Sequence, residues 1–231
     1  MYDINNICPI CGGVFKDTSE HKDLVKCDFC GLYKARYLPS KHYLLAHLEK
    51  FLLSACFIEN TFKKRMEEAG AQLNFIEGFE REGRLYDIGC GPAFFLRRAK
   101  DRGWQVAGND LSKACVNYAK DVFGIDINYG FFEDVVVPEN YYDVFNIWNA
   151  FEHLLNPAEV LEKVYRALKP GGYVHIRVPN RDERTIQDKY EPEHTFEYTD
   201  KNLVQFLINK GFKVYFVTKH NGEVDIFCGK E

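Results

Sequence analysis

The stretch YDIGCGPAFF, residues 86–95, contains the pattern that decides the fold class of this chain. Gly89 and Gly91 are spaced as in the G-x-G-x-x-G turn that joins a strand to a helix in nucleotide-binding folds, but Phe94 stands where the third glycine would be. Asp87 comes directly before the turn. An apolar strand, a glycine turn and an apolar helix in this order indicate the first unit of an α/β fold, with a carboxylate at the mouth of the turn.

From this turn onward, strand and helix patterns alternate, which predicts a doubly wound, mostly parallel sheet of seven strands. The last two β runs flank Asn221-Gly222, a strong signal for an antiparallel hairpin at the C-terminus. The predicted strands are 84–90, 104–112, 127–132, 143–151 and 172–180, followed by the hairpin 213–230, and the predicted helices are 93–103, 113–124 (capped by Ser112), 157–168 and 199–212.

The residues around the turn indicate which ligand it binds, because ligands of such sheets lie at the carboxyl ends of the strands. A pyrophosphate would be repelled by Asp87, and Pro92 removes one N–H group that would hold phosphate. A P-loop is excluded since no Gly-Lys-Ser/Thr follows. Asp110, at the end of the second strand, is placed to accept two ribose hydroxyls. S-adenosylmethionine fits, because it has a ribose, an ammonium and a sulfonium, and no phosphate.

The motifs LYDIGCGPAFF, VAGNDLS, YDVFNIWNAFEHL and LKPGGYVHIRVPN together resemble those of class I S-adenosylmethionine-dependent methyltransferases, over residues 83–231. Ala93 replaces a frequent third glycine, and Phe131 stands where an aspartate often contacts the adenine amino group. The resemblance implies these cofactor contacts: Asp87, Gly89 and Gly91 for the methionine part, Asp110 for the ribose, Phe132 and Glu133 for the adenine, Asn149 for the sulfonium side, and Leu111 as a further cofactor-binding residue.

Two histidines are candidates for the acceptor side. His153 follows Glu152 in NAFEHL, which resembles the Glu-His pair of ubiquinone-pathway O-methyltransferases. Some of those enzymes hold a divalent metal with a carboxylate three residues earlier; Asn149 occupies that position here, so no catalytic metal is expected. His194 lies in EPEHTFEYT, residues 191–199, which resembles a family segment near the acceptor. We predict His194 or His153 as the general base, with His194 preferred; the structural alternatives are a helix cap and a loop hydrogen bond.

Four cysteines near the N-terminus have the spacing of a zinc site. They form two C-x2-C pairs separated by fifteen residues, and they are Cys8, Cys11, Cys27 and Cys30. Two such turns complete a tetrahedral, closed, structural zinc site. The alternative, two disulfides, is disfavoured in a reducing cytosol. Methyltransferases with an N-terminal four-cysteine zinc ribbon are known, so the resemblance extends in outline to the whole chain.

Three units are therefore predicted, a zinc-ribbon module at 1–38, a helical linker or cap at 39–82 and a methyltransferase domain at 83–231. Ser40 is the expected N-cap of the linker, and Gly70 is expected to bend it or split it into two helices. The linker could pack the module onto the main domain, cover the active site or form a homodimer, and the sequence does not distinguish these three roles. Its apolar residues recur at helical steps: Leu44, Leu48, Phe51, Ala55, Ile58, Phe62, Met66, Ala69, Leu73 and Ile76.

Composition and charge limit the remaining functions. The net charge is −4, and residues 1–38 contain five basic and five acidic side chains, so no general nucleic-acid binding is expected. No secretion signal or membrane-length apolar run is recognised, which favours a cytoplasmic protein without membrane contact. We predict methyl transfer to a small-molecule acceptor, with O-methylation favoured. The alternative is a non-catalytic, cofactor-binding regulator or adaptor that uses the zinc ribbon to bind a protein.

Overall fold

The computed structural model describes residues 6–56, 59–183 and 191–231. Three short strands and two helices come first, and strands and helices then alternate. In chain order the elements are β1 (Phe15–Asp17), β2 (Leu24–Cys27), β3 (Tyr33–Ala35), α1 (Lys41–Cys56), α2 (Glu59–Ile76), β4 (Arg84–Ile88), α3 (Phe94–Asp101), β5 (Gln105–Asp110), α4 (Lys113–Phe123), β6 (Asn128–Tyr129), β7 (Tyr142–Trp148), α5 (Pro157–Ala167), β8 (Leu168–Pro179), β9 (Phe196–Glu197), α6 (Asp200–Asn209), β10 (Lys213–His220) and β11 (Glu223–Gly229).

Seven of these strands form one sheet in the order β10-β11-β8-β7-β4-β5-β6. The pairs from β6 to β8 are parallel, whereas β11 pairs antiparallel with both β8 and β10. Asn221 and Gly222, both at positive φ, form the turn of the terminal hairpin. The predicted fold, a mostly parallel seven-stranded sheet with an antiparallel C-terminal hairpin, is confirmed.

Two hydrophobic cores cover the two faces of the sheet. One contains residues of α5, α6 and the N-terminal module, such as Val160, Phe206 and Phe15. The other contains residues of α2, α3 and α4, such as Leu73 and Leu96. Helix α2 therefore packs directly on the sheet beside α3, and its side chains reach the face that carries the even-numbered residues of β7.

Hydroxyl side chains accept backbone hydrogen bonds at the start of three helices. Ser112 and Thr199 cap α4 and α6, and the Ser40 hydroxyl accepts a hydrogen bond from the Tyr43 N–H. The expected split at Gly70 is wrong, because α2 continues through it to Ile76; glycine costs a helix only about 1 kcal/mol, which packing offsets. In the linker stripe, Ile58 and the side chains of Leu48, Phe51 and Ala55 lie outside the described residues, whereas Leu44, Met66, Ala69, Leu73 and Ile76 are buried or partly buried against the cores.

The N-terminal module shares a sheet with the main domain. Its four-stranded sheet has the order β1-β2-β3-β9, and β9 belongs to the segment that precedes α6. Next to this pairing, the Ala35 N–H donates to the Thr195 carbonyl oxygen at 3.0 Å. The Asn209 side chain also donates to the Ile10 carbonyl oxygen at 2.8 Å. β9 is absent from the strands that the sequence predicts, which pass from 172–180 directly to the hairpin at 213–230.

The four module cysteines lie together. The Sγ atoms of Cys8 and Cys30 are 3.4 Å apart, and those of Cys11 and Cys27 are 3.5 Å apart. All four are free thiols and form a group that could hold a metal ion. A tetrahedral zinc with bonds of about 2.3 Å places its sulfurs roughly 3.8 Å apart, so the donor set fits zinc.

Among the described residues, no helix has both the length and the apolar character needed to cross a bilayer.

We expect Phe196→Ala to lower the free energy of unfolding by about 3–5 kcal/mol, because Phe196 on β9 is only 4% exposed and lies in the core shared with the module. The matched control is Phe29→Ala, since Phe29 is 82% exposed and its loss should change stability by less than about 0.5 kcal/mol. Chemical denaturation measures both. A loss below about 1 kcal/mol for Phe196→Ala would contradict the shared core.

Candidate functional site

The glycine turn after β4 has the backbone conformation that its sequence requires. Gly89 has φ 68°, and a Cβ added there would lie 2.6 Å from Cβ of Ala150, so a side chain is excluded by both strain and space. Ala93, at the place of a frequent third glycine, has φ 65° and precedes α3. The turn thus brings the ends of β4 and β7 into close contact at the carboxyl edge of the sheet.

Asp110 links the end of β5 to this turn through a hydrogen bond. Its carboxylate accepts hydrogen bonds from the Gly91 N–H at 2.7 Å and from the Ser112 N–H at 2.8 Å. Burial raises the pKa of Asp110 to about 6, although the backbone N–H donors oppose the rise. Beside it, Glu49 on α1 accepts from the N–H groups of Lys113 and Ala114 at the start of α4. Helix α1 therefore reaches the predicted ribose position.

Asp87, like Asp110, is a buried acid of the site. Its Oδ1 accepts a hydrogen bond from the Asn146 amide at 2.6 Å. Burial raises the pKa of Asp87 to about 8; the Asn146 hydrogen bond opposes this shift and the charge of Asp110 adds to it. A buried carboxylate with such a pKa favours a cationic partner, because a nearby positive charge stabilises the ionised form.

A row of polar side chains continues from Asp87 across the strands. Asn146 on β7 lies next to His175 on β8, with Oδ1 and Nδ1 3.1 Å apart, and His175 Nε2 lies 3.0 Å from Asp225 on β11. Arg177 donates to both oxygens of Asp225, at 2.7 and 3.0 Å. Sequence reasoning missed this row; the available signal was the alternation of polar residues within FNIWN and VHIRV.

Asn149, expected on the sulfonium side, follows β7 with φ 50°. Its side-chain amide donates to Glu223 at 3.0 Å, and Glu223 is in turn 3.7 Å from Arg177. The polar row therefore extends from Arg177 through Glu223 to Asn149, which is a predicted cofactor residue.

The predicted adenine residues lie in a 3-10 turn, Phe132–Asp134. Phe132 is a core residue whose ring contacts Tyr86, and Lys163 donates to the carbonyl oxygens of Phe132 and Glu133. Both carboxyl oxygens of Glu133 are buried and have no hydrogen-bond partner among the described residues. On the outside, Lys41 of α1 lies over the Phe131 ring and forms an ion pair with Asp134.

Leu111, also predicted to bind the cofactor, lies between Asp110 and Ser112 at the end of β5 and is partly buried.

The two candidate histidines lie next to each other. The ring centroids of His153 and His194 are 5.0 Å apart, and with Glu152 they form a group whose ligand atoms lie within 4.8 Å of one another. His153 Nδ1 is 3.1 Å from the Glu193 carbonyl oxygen. Burial, together with the charge of His194, lowers the pKa of His153 to about 4.

His194 is held between two carboxylates. Its Nε2 is 3.0 Å from Glu191 and its Nδ1 is 3.2 Å from Glu197. Burial opposes protonation, but the hydrogen bonds to these two residues and the charge of Glu152 outweigh it and raise the pKa of His194 to about 10. At neutral pH His194 is therefore an imidazolium, and His153 is a neutral imidazole beside it.

Comparison with known proteins gives the family. A family model described as a methyltransferase domain matches residues 57–216. An S-adenosylmethionine-dependent methyltransferase of Thermotoga maritima has the same fold, with a TM-score of 0.64, 19% identity, and coverage of 81% of this chain and 100% of that one. The chain therefore belongs to the methyltransferase domain family, and the predicted class I fold and family are confirmed.

Two curated relatives are similar over a shorter region. A probable S-adenosylmethionine-dependent methyltransferase of Mycolicibacterium smegmatis is 28% identical over 133 residues, covering 56% of this chain and 52% of the relative. A ubiquinone biosynthesis O-methyltransferase of Pseudomonas savastanoi is 30% identical over 135 residues, covering 54% and 57%. The chain thus spans about half the length of the curated relatives it matches.

We expect Asp110→Ala to weaken the binding of S-adenosylhomocysteine by roughly 2 kcal/mol, about 30-fold, because charge-assisted hydrogen bonds to the ribose are lost. The Gly91 N–H also loses its acceptor, which loosens the glycine turn. Isothermal calorimetry measures the change, and Asp126→Ala, at an exposed ion pair with Lys120, is the control. Unchanged affinity in Asp110→Ala would contradict the assignment of Asp110 to the ribose.

Proposed function

We propose that the protein transfers a methyl group from S-adenosylmethionine to a hydroxyl oxygen of a small molecule. The observation that carries this proposal is the position of a neutral, partly buried His153 at the carboxyl edge of the sheet that bears Asp87 and Asp110. The similarity to ubiquinone biosynthesis O-methyltransferases supports oxygen as the methylated atom.

The cofactor proposal is supported by the donors and acceptors that the site offers. Asp87 suits the ammonium, because its buried carboxylate is stabilised by a cation. Asp110 suits the ribose hydroxyls, and the two buried oxygens of Glu133 suit the amino group of adenine, a hydrogen-bond donor. When bound, S-adenosylmethionine supplies a methyl group made electrophilic by its sulfonium.

His153 is the better candidate for the general base. Its Nδ1 faces a carbonyl oxygen, which only accepts hydrogen bonds, so Nδ1 carries the hydrogen and Nε2 carries the lone pair. A neutral Nε2 can accept the hydroxyl proton as the oxygen attacks the methyl carbon in line. The remaining task of the protein is to align the two reacting atoms, a large contribution in displacement reactions.

For His194 we propose an electrostatic role. The sequence favoured it as the base, but a ring whose two nitrogens both lie at carboxylates holds two protons at neutral pH and has no lone pair to offer. The same contacts oppose metal coordination by His194, although Glu152, His153 and His194 have the composition of a metal site. The negative charge of its partners keeps His194 in place beside His153.

We expect His153→Ala to lower turnover by roughly 10²–10⁴-fold and to leave the affinity for S-adenosylhomocysteine unchanged, because the base is lost and the cofactor contacts remain. Since the pKa of His153 is lowered to about 4, wild-type turnover should be nearly independent of pH between 6 and 8. Turnover is followed by release of S-adenosylhomocysteine with a panel of hydroxylated acceptors.

The control variant is His42→Ala, at an exposed position of α1, which should retain wild-type turnover. Turnover that rises about tenfold per pH unit toward pH 10 would instead identify a base with the raised pKa of His194. Strict dependence on added magnesium, in a chelator too weak to remove zinc, would favour a metal at Glu152 and His153.

We further propose that the four cysteines bind a structural zinc, which maintains the strand that pairs with β9. Cys27→Ser should reduce the zinc content from about one per chain to none and lower turnover more than cofactor affinity, because the segment at 191–199 loses its neighbouring strand. Cys115→Ser, at a buried cysteine of α4, is the matched control and should retain zinc. Fresh, reduced protein that contains no zinc would refute the proposal.

The adaptor alternative is less well supported. The edge of β3 that an added strand from a partner would use is already paired with β9. A role in catalysis is supported by the contacts of the module with the histidine segment. Release of S-adenosylhomocysteine distinguishes the two functions.

A cytoplasmic location is proposed because the described cysteines form no disulfide bonds with one another, and a homodimer through residues 39–82 stays a prediction.

A further inference from the structure

Gln72 lies on α2, outside the segment predicted as the methyltransferase domain, yet its side chain reaches the polar row beneath the cofactor site. It is 5% exposed, and its Nε2 lies 2.5 Å from Oδ1 of Asn146. Asn146 is 1% exposed and donates through its Nδ2 to Asp87. A single amide therefore stands between Gln72 and the carboxylate proposed to hold the ammonium.

The directions of these hydrogen bonds follow from the two carboxylates in the row. Asp87 is an acceptor when ionised, so Asn146 presents its NH2 group to Asp87 and its oxygen to Gln72. Asp225 is held by Arg177 and is also an acceptor, so Nε2 of His175 carries a hydrogen. Nδ1 of His175 lies 3.1 Å from the oxygen of Asn146.

Gln72 donates to this oxygen of Asn146. Its Nε2 lies 2.5 Å from Oδ1 of Asn146 and 3.3 Å from Nδ1 of His175. Its own oxygen is buried without a hydrogen-bond partner among the described residues. The side chain is thus oriented to donate to Asn146, while its own oxygen is left without a hydrogen bond.

We propose that Gln72 is a positioning residue for the cofactor: it clamps Asn146, and Asn146 holds the Asp87 carboxylate toward the ammonium. This inference rests on the proposed assignment of Asp87 to the amino group of S-adenosylmethionine. Loss of the hydrogen bond from Gln72 to Asn146 therefore weakens the binding of ligands that carry the α-amino group. It leaves the binding of ligands that lack this group unchanged.

The test compares two ligands by calorimetry on the full chain, S-adenosylhomocysteine and 5′-deoxy-5′-methylthioadenosine, which lacks the amino-acid end. Gln72→Met keeps the volume and removes the donors. We expect it to weaken S-adenosylhomocysteine about tenfold, the equivalent of one hydrogen bond of roughly 1.4 kcal/mol, and to change methylthioadenosine less than twofold. Gln105→Met, at the exposed start of β5 where Gln105 accepts a hydrogen bond from Arg84, is the control for the substitution type and should change neither.

Methylthioadenosine binding also reports that the variant is folded. Equal weakening of both ligands by Gln72→Met would assign Gln72 a purely structural role and overturn the proposal, as would unchanged affinity for both. A wild-type protein that binds methylthioadenosine and S-adenosylhomocysteine equally well would remove Asp87 from the ammonium site and overturn the proposal as well. A wild-type protein that binds neither would overturn the cofactor assignment together with it.

Discussion

The pairing of β3 with β9 is the contact on which the arrangement of the acceptor side depends. It joins Tyr33 to Glu197 and Lys34 to Phe196 across more than 160 residues of chain. Because Glu197 also binds His194, the strand that the N-terminal module contributes helps to determine where the imidazolium lies. A two-residue strand is too short to be stable alone, so β9 requires the sheet that the module supplies.

Burial of charge governs the other half of the site. Asp87 and Asp110 have raised pKa values because both carboxylates are removed from water, and His153 has a lowered pKa for the same reason. His194 is the exception, since two carboxylates compensate its burial. The site thus combines buried acids that a bound cation would stabilise with a neutral imidazole, the proposed base. Groups of this kind, perturbed and close together, are typical of functional sites.

Much of the fold could be predicted from the sequence, because its signals are local. The strand–turn–helix units, the caps at Ser112 and Thr199 and the Asn-Gly hairpin each depend on neighbouring residues. The candidate residues at strand ends, Asp87 and Asp110, follow from the topology, since parallel strands bring their carboxyl ends to one edge.

The remaining features could not be predicted because they depend on distant parts of the chain. β9 is only two residues long and has no alternating pattern of its own. Gln72 has the character of an ordinary polar residue on an amphipathic helix until α2 is packed on β7. The sequence shows the glutamates near His194, but it does not show that both nitrogens of His194 lie at carboxylates. Only the structure therefore gives the reason to prefer His153 as the base.

Residues 39–82 connect these two halves of the site. Helix α1 places Glu49 at the start of α4, Lys41 at Asp134 and His47 3.4 Å from Glu193, while α2 places Gln72 at Asn146. These contacts reach the proposed ribose, adenine, acceptor and ammonium positions in turn. The proposed catalytic unit therefore includes the linker as well as the sheet, because ion pairs and hydrogen bonds from both helices reach each of these proposed positions.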